Sequence, residues 1–142
     1  MSPRWEPNLH VRTGRHVVHN LHAHLVFVTK YRRGVFTDAM LIRCEEIMRE
    51  VCADFETELR EFNGDDDHVH LLVHYPPKVA LSKLVNSLKG VSARLLRKEY
   101  STHVHQHLWG GHLWSGSYFA GSVGGAPLTV LNQYIEQQKR PV

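Results

Sequence analysis

The chain has 142 residues, 42% of them hydrophobic and 22% charged, with a net charge of +3. That length suits one domain with a real buried core. No apolar run approaches the roughly 20 residues a membrane span needs, and Met1 to Arg15 carries charges, Pro3 and Pro7 where an export signal would be apolar. The expectation is a cytoplasmic, non-membrane protein, a single domain over 1–142 with residues 1–15 as a tail or arm.

From about Val17 to Tyr31 the sequence alternates, with Leu21, Ala23, Leu25 and Phe27 on one face and His22, His24, Val26 and Val28 on the other, which predicts a strand. Thr37 is a helix cap, and Leu41, Cys44, Met48, Val51 and Phe55 recur at spacings of three and four, predicting a helix to about Asp54. Cys44 and Cys52 lie too far apart along that helix to bond each other and read as reduced core residues. A short strand, Thr57 to Phe62, leads through the turn residues Asn63-Gly64-Asp65-Asp66 into a second strand, His68 to Tyr75, as a hairpin. Pro76-Pro77 stops it. Leu81, Leu84, Leu88, Val91 and Leu95 then mark a helix ending near Tyr100.

Ser101 to Gly116, rich in His, Gly and Trp, reads as a loop, followed by a strand from about Ser117 to Val123 and a last helix over 126–139. The order β-α-β-β-α-β-α predicts an α+β, ferredoxin-like antiparallel sheet with two helices on one face, plus a C-terminal helix. In such a sheet the first strand lies beside the histidine strand, which makes His22 and His24 candidate neighbours of the site.

The chemistry concentrates at His68-Val69-His70. Strand alternation turns His68 and His70 to one side and Val69, Leu71 and Val73 to the other; the apolar set should face the helices, leaving both imidazoles on the opposite face. Neutral imidazoles leave a metal its full charge for polarising a phosphate. With 12 histidines and two further His-x-His runs, at His22-Ala23-His24 and His103-Val104-His105-Gln106-His107, the pair alone carries little. His103, His105 and His107 read as surface groups.

In the last helix Tyr134 and Gln138 are four apart and share one face, beside a packing stripe of Leu128, Leu131 and Ile135. A phenol near pKa 10 is only about one part in a thousand ionised at neutral pH, so Tyr134 as nucleophile needs a base or a metal nearby. Gln138 offers a neutral amide oxygen. Cations cluster at Lys30, Arg32 and Arg33 and at Lys89, Arg94, Arg97 and Lys98, as suits a phosphate backbone.

Five segments in order, His24-Leu25-Val26-Phe27-Val28-Thr29-Lys30-Tyr31-Arg32, Asp67-His68-Val69-His70-Leu71-Leu72, Leu88-Lys89-Gly90-Val91-Ser92-Ala93-Arg94, Leu108-Trp109-Gly110-Gly111-His112-Leu113-Trp114 and Tyr134-Ile135-Glu136-Gln137-Gln138, make the chain resemble the HUH-class single-tyrosine, single-strand DNA transposases of the smallest bacterial insertion sequences. The resemblance implies that His68, His70 and Gln138 bind Mg2+ or Mn2+, with no nucleotide cofactor. It implies that Tyr134 attacks the scissile phosphate of single-stranded DNA, giving a 5′-phosphotyrosine and a free 3′-hydroxyl. It also implies recognition of end hairpins and a homodimer in which one subunit's tyrosine helix completes the other's histidine site.

Lys89 and Arg94 match basic positions of that family and are carried over as DNA contacts. One departure is Asp66, where the family often has proline, within an acidic turn that is mildly unfavourable beside a phosphate unless its carboxylates touch metal or solvent. Two other classes compete: a non-catalytic hairpin DNA- or RNA-binding module derived from a transposase, and a metal hydrolase in which Tyr134 is structural. Against the hydrolase, the sequence lacks the extra carboxylate ligands that most such sites carry at recognisable spacing.

Overall fold

The computed structural model describes residues 12–13, 18–108, 110–122 and 134–138. Most of the expected N-terminal arm and of the 126–139 helix, including Leu128 and Leu131, lies outside the described residues.

The alternation over residues 17–31 yields two strands instead of one. Val18–His19 (β2) pairs with Arg12–Thr13 (β1) as a small separate ribbon, and His22–Val28 (β3) enters the main sheet. The reason is pairing length. β3 lies antiparallel to His68–His74 (β5) with His22 opposite His74, and beyond that pair Tyr75 N–H donates to Leu21 O at 3.0 Å. Pro76-Pro77 then removes any further ladder donors, so the chain upstream of Leu21 must pair elsewhere.

Helix α1 (Asp38–Asp54) begins where Thr37 Oγ1 accepts the Met40 N–H at 3.2 Å. Met40, Cys44, Ile47, Met48, Val51 and Cys52 form its buried stripe. Burial pushes both thiols up to about 12, as expected of reduced core cysteines. Glu58–Gly64 (β4) and β5 form the expected hairpin, with a register irregularity between Leu59 and Glu61. Gly64 needs its bare Cα: a Cβ there would lie 2.7 Å from Leu41 Cδ2 and 3.1 Å from His68 O.

Helix α2 (Leu81–Glu99) buries Leu84, Val85, Leu88 and Leu96. Ser101–His107, expected as a loop, is a two-turn helix, α3. Its anchors are tertiary. Val104 is buried in the core, and the His103 ring donates to Val35 O at 2.8 Å. With one buried apolar residue inside it, no helical stripe was available to read. Phe119–Ser122 (β6) completes the sheet, starting two residues later than expected.

The four strands run β4-β5-β3-β6, every neighbouring pair antiparallel, as a ferredoxin-like sheet requires. Leu25, Phe27, Val69, Leu71 and Val73 pack with the stripes of α1 and α2 into one core. Burying such side chains supplies about 25 cal/mol per Å2 of apolar area removed from water. The side chains of the opposite face start from His22, His24, Val26 and Val28 on β3 and from His68, His70, Leu72 and His74 on β5.

Candidate active site

That second face is not bare. Val26, Val28 and His74 are buried, and His24, His68, His70 and Leu72 are half-buried. His22 stacks on His74 with ring centroids 4.0 Å apart, and His19 meets His74 edge-on at 5.8 Å. The expected neighbour of the histidine pair is His24: its Nδ1 lies 2.9 Å from His70 Nε2, a hydrogen bond for which one ring supplies the proton.

His68 is held differently. Its Nδ1–H donates to Asp67 Oδ1 at 2.8 Å, since an ionised carboxylate only accepts, and the bond leaves the Nε2 lone pair for a ligand. Asp67 is thus turned inward, not toward solvent. Its other oxygen accepts from Arg32 Nε at 2.5 Å. Burial would raise the Asp67 pKa, but the hydrogen bonds from His68 and Arg32 outweigh it and hold the carboxyl below its ordinary range. His70 is shifted toward the neutral form, first by burial and then by the nearby His24.

The carboxyl-terminal residues of the site come next. Residues 134–137 form a helical turn, with Gln138 N–H bonded to Tyr134 O and Ile135 O. Tyr134 Oη lies 3.0 Å from Ser117 Oγ, and its ring lies 6.0 Å from that of Phe119. Gln138 Oε1 accepts from Ser115 Oγ at 2.7 Å. Burial raises the Tyr134 pKa and the Ser117 hydroxyl partly offsets this. The seat is on Tyr134's own chain.

Sheet register relates the two groups. His70 is opposite Val26 across β5 and β3, and Val26 is opposite Phe119 across β3 and β6. Opposed residues point to the same face, so His70, Val26 and Phe119 form one row, two strand spacings or roughly 10 Å long. Tyr134 rests on the far end of that row.

The two basic candidates differ. Lys89 is half-buried; its ammonium donates to Ser115 O at 2.7 Å and Ser117 O at 3.4 Å and lies over the Tyr118 ring, and burial lowers its pKa. It fastens the segment on which Tyr134 and Gln138 sit. Arg94 is exposed on α2. Ser115 and Ser117 have no role in the sequence reading, and Arg32 enters it only as one of a basic cluster: the contacts of Ser115 with Gln138, Ser117 with Tyr134, and Arg32 with Asp67 and Glu136 span 17 to 104 positions, beyond any local pattern.

The residues fit a divalent ion in donor chemistry, with a free His68 Nε2 fixed by a carboxylate behind it, a neutral-leaning His70 and an amide oxygen. Among the described residues, no group of three or more His, Cys, Asp or Glu side chains is arranged to hold a metal. His70 Nε2 and Gln138 Oε1 are instead hydrogen-bonded to His24 and Ser115.

A family model described as IS200-like transposase matches residues 17–138. The chain belongs to that family. This transposase is 34% identical over 130 residues to the ISDra2 transposase TnpA of Deinococcus radiodurans, covering 92% of each chain. It is 32% identical over 85 residues to the transposase of insertion sequence IS200 from Salmonella typhimurium, covering 60% of this chain and 56% of that one. Its fold matches the crystal structure of a candidate transposase from D. radiodurans R1 with a TM-score of 0.80 and 31% identity, over 92% of this chain and 99% of the other. A REP-associated tyrosine transposase bound to a REP hairpin shares the fold at a TM-score of 0.57 and 10% identity, over 88% and 68% of the two chains. No helix among the described residues is long and apolar enough to cross a membrane.

Proposed function

We propose that this transposase cleaves and rejoins single-stranded DNA at insertion-sequence ends, with Tyr134 as nucleophile and His68, His70 and Gln138 as the ligands of Mg2+ or Mn2+. The observation that carries the reading is the row His70–Val26–Phe119 with Tyr134 seated at its end, so that the phenol and the imidazoles meet the same face of the sheet.

The Tyr134 oxygen forms a bond to phosphorus, its proton passes to solvent through the Ser117 side, and the P–O3′ bond breaks with the 3′-oxygen taking up a proton. The product is a 5′-phosphotyrosine and a free 3′-hydroxyl. Because one phosphate ester replaces another, a second 3′-hydroxyl reverses the step and rejoins DNA without a nucleotide cofactor. The bound ion would supply positive charge to the phosphate oxygens. His68 is held for that task by Asp67, and the neutral donors leave the ion's charge undiminished. Binding it through His70 Nε2 requires that nitrogen to release His24, whereas the Gln138 oxygen has a second lone pair beside the one that accepts from Ser115.

End hairpins are the expected substrate, and a homodimer would provide two such sites for two strand ends. Lys89 and Arg94 are the proposed DNA contacts, Arg94 from an exposed position and Lys89 from beneath the 115–117 segment. The deciding experiment is incubation with labelled single-stranded element-end DNA and Mn2+. A covalent protein-DNA adduct is expected with the wild type and none with Tyr134→Phe; an adduct in the phenylalanine variant at wild-type level would remove Tyr134 from the chemistry.

A further inference from the structure

We propose that Arg32 is a positioning residue that ties the Tyr134 segment to the histidine strand, one guanidinium holding both the carboxylate behind His68 and Glu136 beside the nucleophile. The inference rests on the reading of His68 and Tyr134 given above. Arg32 Nε meets Asp67 Oδ2 at 2.5 Å and Arg32 Nη1 meets Glu136 Oε1 at 3.0 Å. Asp67 in turn holds His68, and Glu136 is two residues from Tyr134. A continuous path of charge-assisted bonds therefore joins a proposed metal ligand to the segment of the proposed nucleophile.

The backbone is built for this. Tyr31 and Arg32 both adopt left-handed conformations, with φ of 55° and 53°, which non-glycine residues rarely take and which persist only where surroundings enforce them. The enforcement is visible on both sides. Thr29 N–H bonds Asp67 O at 2.9 Å, Thr29 Oγ1 donates to Arg33 O at 2.6 Å, and Lys30 N–H bonds Leu113 O at 2.9 Å. The turn is pinned to the histidine strand's entry and to the chain leading into Ser115, and its geometry aims the guanidinium at two carboxylates distant in sequence.

The two arms are unequal. The Asp67 side chain is 12% exposed and that of Glu136 is 63% exposed. A planar fork suits two carboxylates at once, but an exposed pair is screened by water and salt and contributes little on its own. The Asp67 arm is thus the fixed one and the Glu136 arm the releasable one, as befits a segment whose tyrosine must carry DNA.

The test uses the full chain, first without metal or DNA, following amide hydrogen exchange across 134–138 by mass spectrometry, and then Mn2+ titration. Glu136→Gln should speed exchange of the segment severalfold and weaken Mn2+ binding less than Arg32→Gln does, and 1 M NaCl should speed the same exchange in the wild type. Arg32→Gln should match that exchange and also weaken Mn2+ binding severalfold, since it frees the carboxylate that orients His68. The double variant should exchange no faster than Arg32→Gln. Arg32→Lys, which has charge but no fork, should fall between. Wild-type exchange in Glu136→Gln, wild-type Mn2+ affinity in Arg32→Gln, or multiplied effects in the double variant would each overturn the proposal. A wild type that forms no DNA adduct would sink the catalytic reading while the metal-free exchange still decides the coupling.

Discussion

The Tyr134 hydroxyl lies 3.0 Å from the Ser117 hydroxyl, a polar contact between the proposed nucleophile's oxygen and the loop held by Lys89. Burial disfavours the phenolate and the serine hydroxyl favours it by donating to the charged form. Ser117→Ala should therefore push the Tyr134 pKa further up. A neutral hydrogen bond contributes about 1 kcal/mol, so adduct formation should slow by roughly three- to tenfold at neutral pH, with the alkaline limb of the rate profile displaced to higher pH. Ser117→Thr should restore most of the rate. An unchanged profile in Ser117→Ala would show that the contact has no part in ionising Tyr134.

Asp67 ties stability to acid. Its carboxyl, raised by burial but lowered more by His68 and Arg32, titrates below its unfolded value in the native protein. The sign follows: the contribution is fully present above the unfolded pKa of about 3.9 and is lost as pH falls through the depressed native value. Asp67→Asn should thus be less stable than wild type near neutral pH, with the gap in urea midpoint shrinking below about pH 4. A gap that stays constant down to pH 2 would mean that the charge on Asp67 does not support the fold.

Which parts of this arrangement a sequence can disclose depends on whether the signal is local. His68 and His70 were assignable to the face away from the helices because period-two alternation with Val69, Leu71 and Val73 fixes strand orientation. The four-residue spacing of Tyr134 and Gln138 likewise predicts a shared helix face, though most of that helix lies outside the described residues. The pairing of His24 with His70 needed the register of two strands 46 positions apart. Ser115 and Ser117 carry no pattern at all, and Arg32 reads in the sequence as one member of a basic cluster because its partners Asp67 and Glu136 lie 35 and 104 positions away. Helix α3 was missed because packing of Val104 and the His103 bond to Val35 O, not periodicity, hold it.

The core cysteines give a check on the fold that is independent of chemistry at Tyr134. Cys44 is buried, Cys52 is buried, and desolvation drives both thiols up to about 12. A thiol reacts as thiolate, so at pH 8 both should resist iodoacetamide in the native protein and label together only in denaturant. Cys44→Ala, which removes a sulfur from a filled core, should cost about 1–2 kcal/mol in urea unfolding, by the usual scale for small cavities. Rapid native labelling of either residue would contradict the packing of α1 on the sheet.

Lys89 and Arg94 should separate scaffold from DNA contact. Lys89 is engaged by the carbonyls of Ser115 and Ser117, whereas Arg94 stands exposed on the same helix. A phosphate contact contributes a counterion-release term, so Arg94→Gln should weaken hairpin binding at 50 mM salt and reduce the slope of log affinity against log salt by about 1. Lys89→Gln should act chiefly on cleavage, because freeing the 115–117 carbonyls loosens the hydroxyls that hold Tyr134 and Gln138. The measurement is hairpin affinity across a salt series beside the adduct-forming rate for each variant. If Lys89→Gln lowers the salt slope as Arg94→Gln does and leaves the rate at saturating DNA unchanged, Lys89 swings out to the phosphate backbone on binding and its seat beneath Ser115 belongs to the DNA-free state alone.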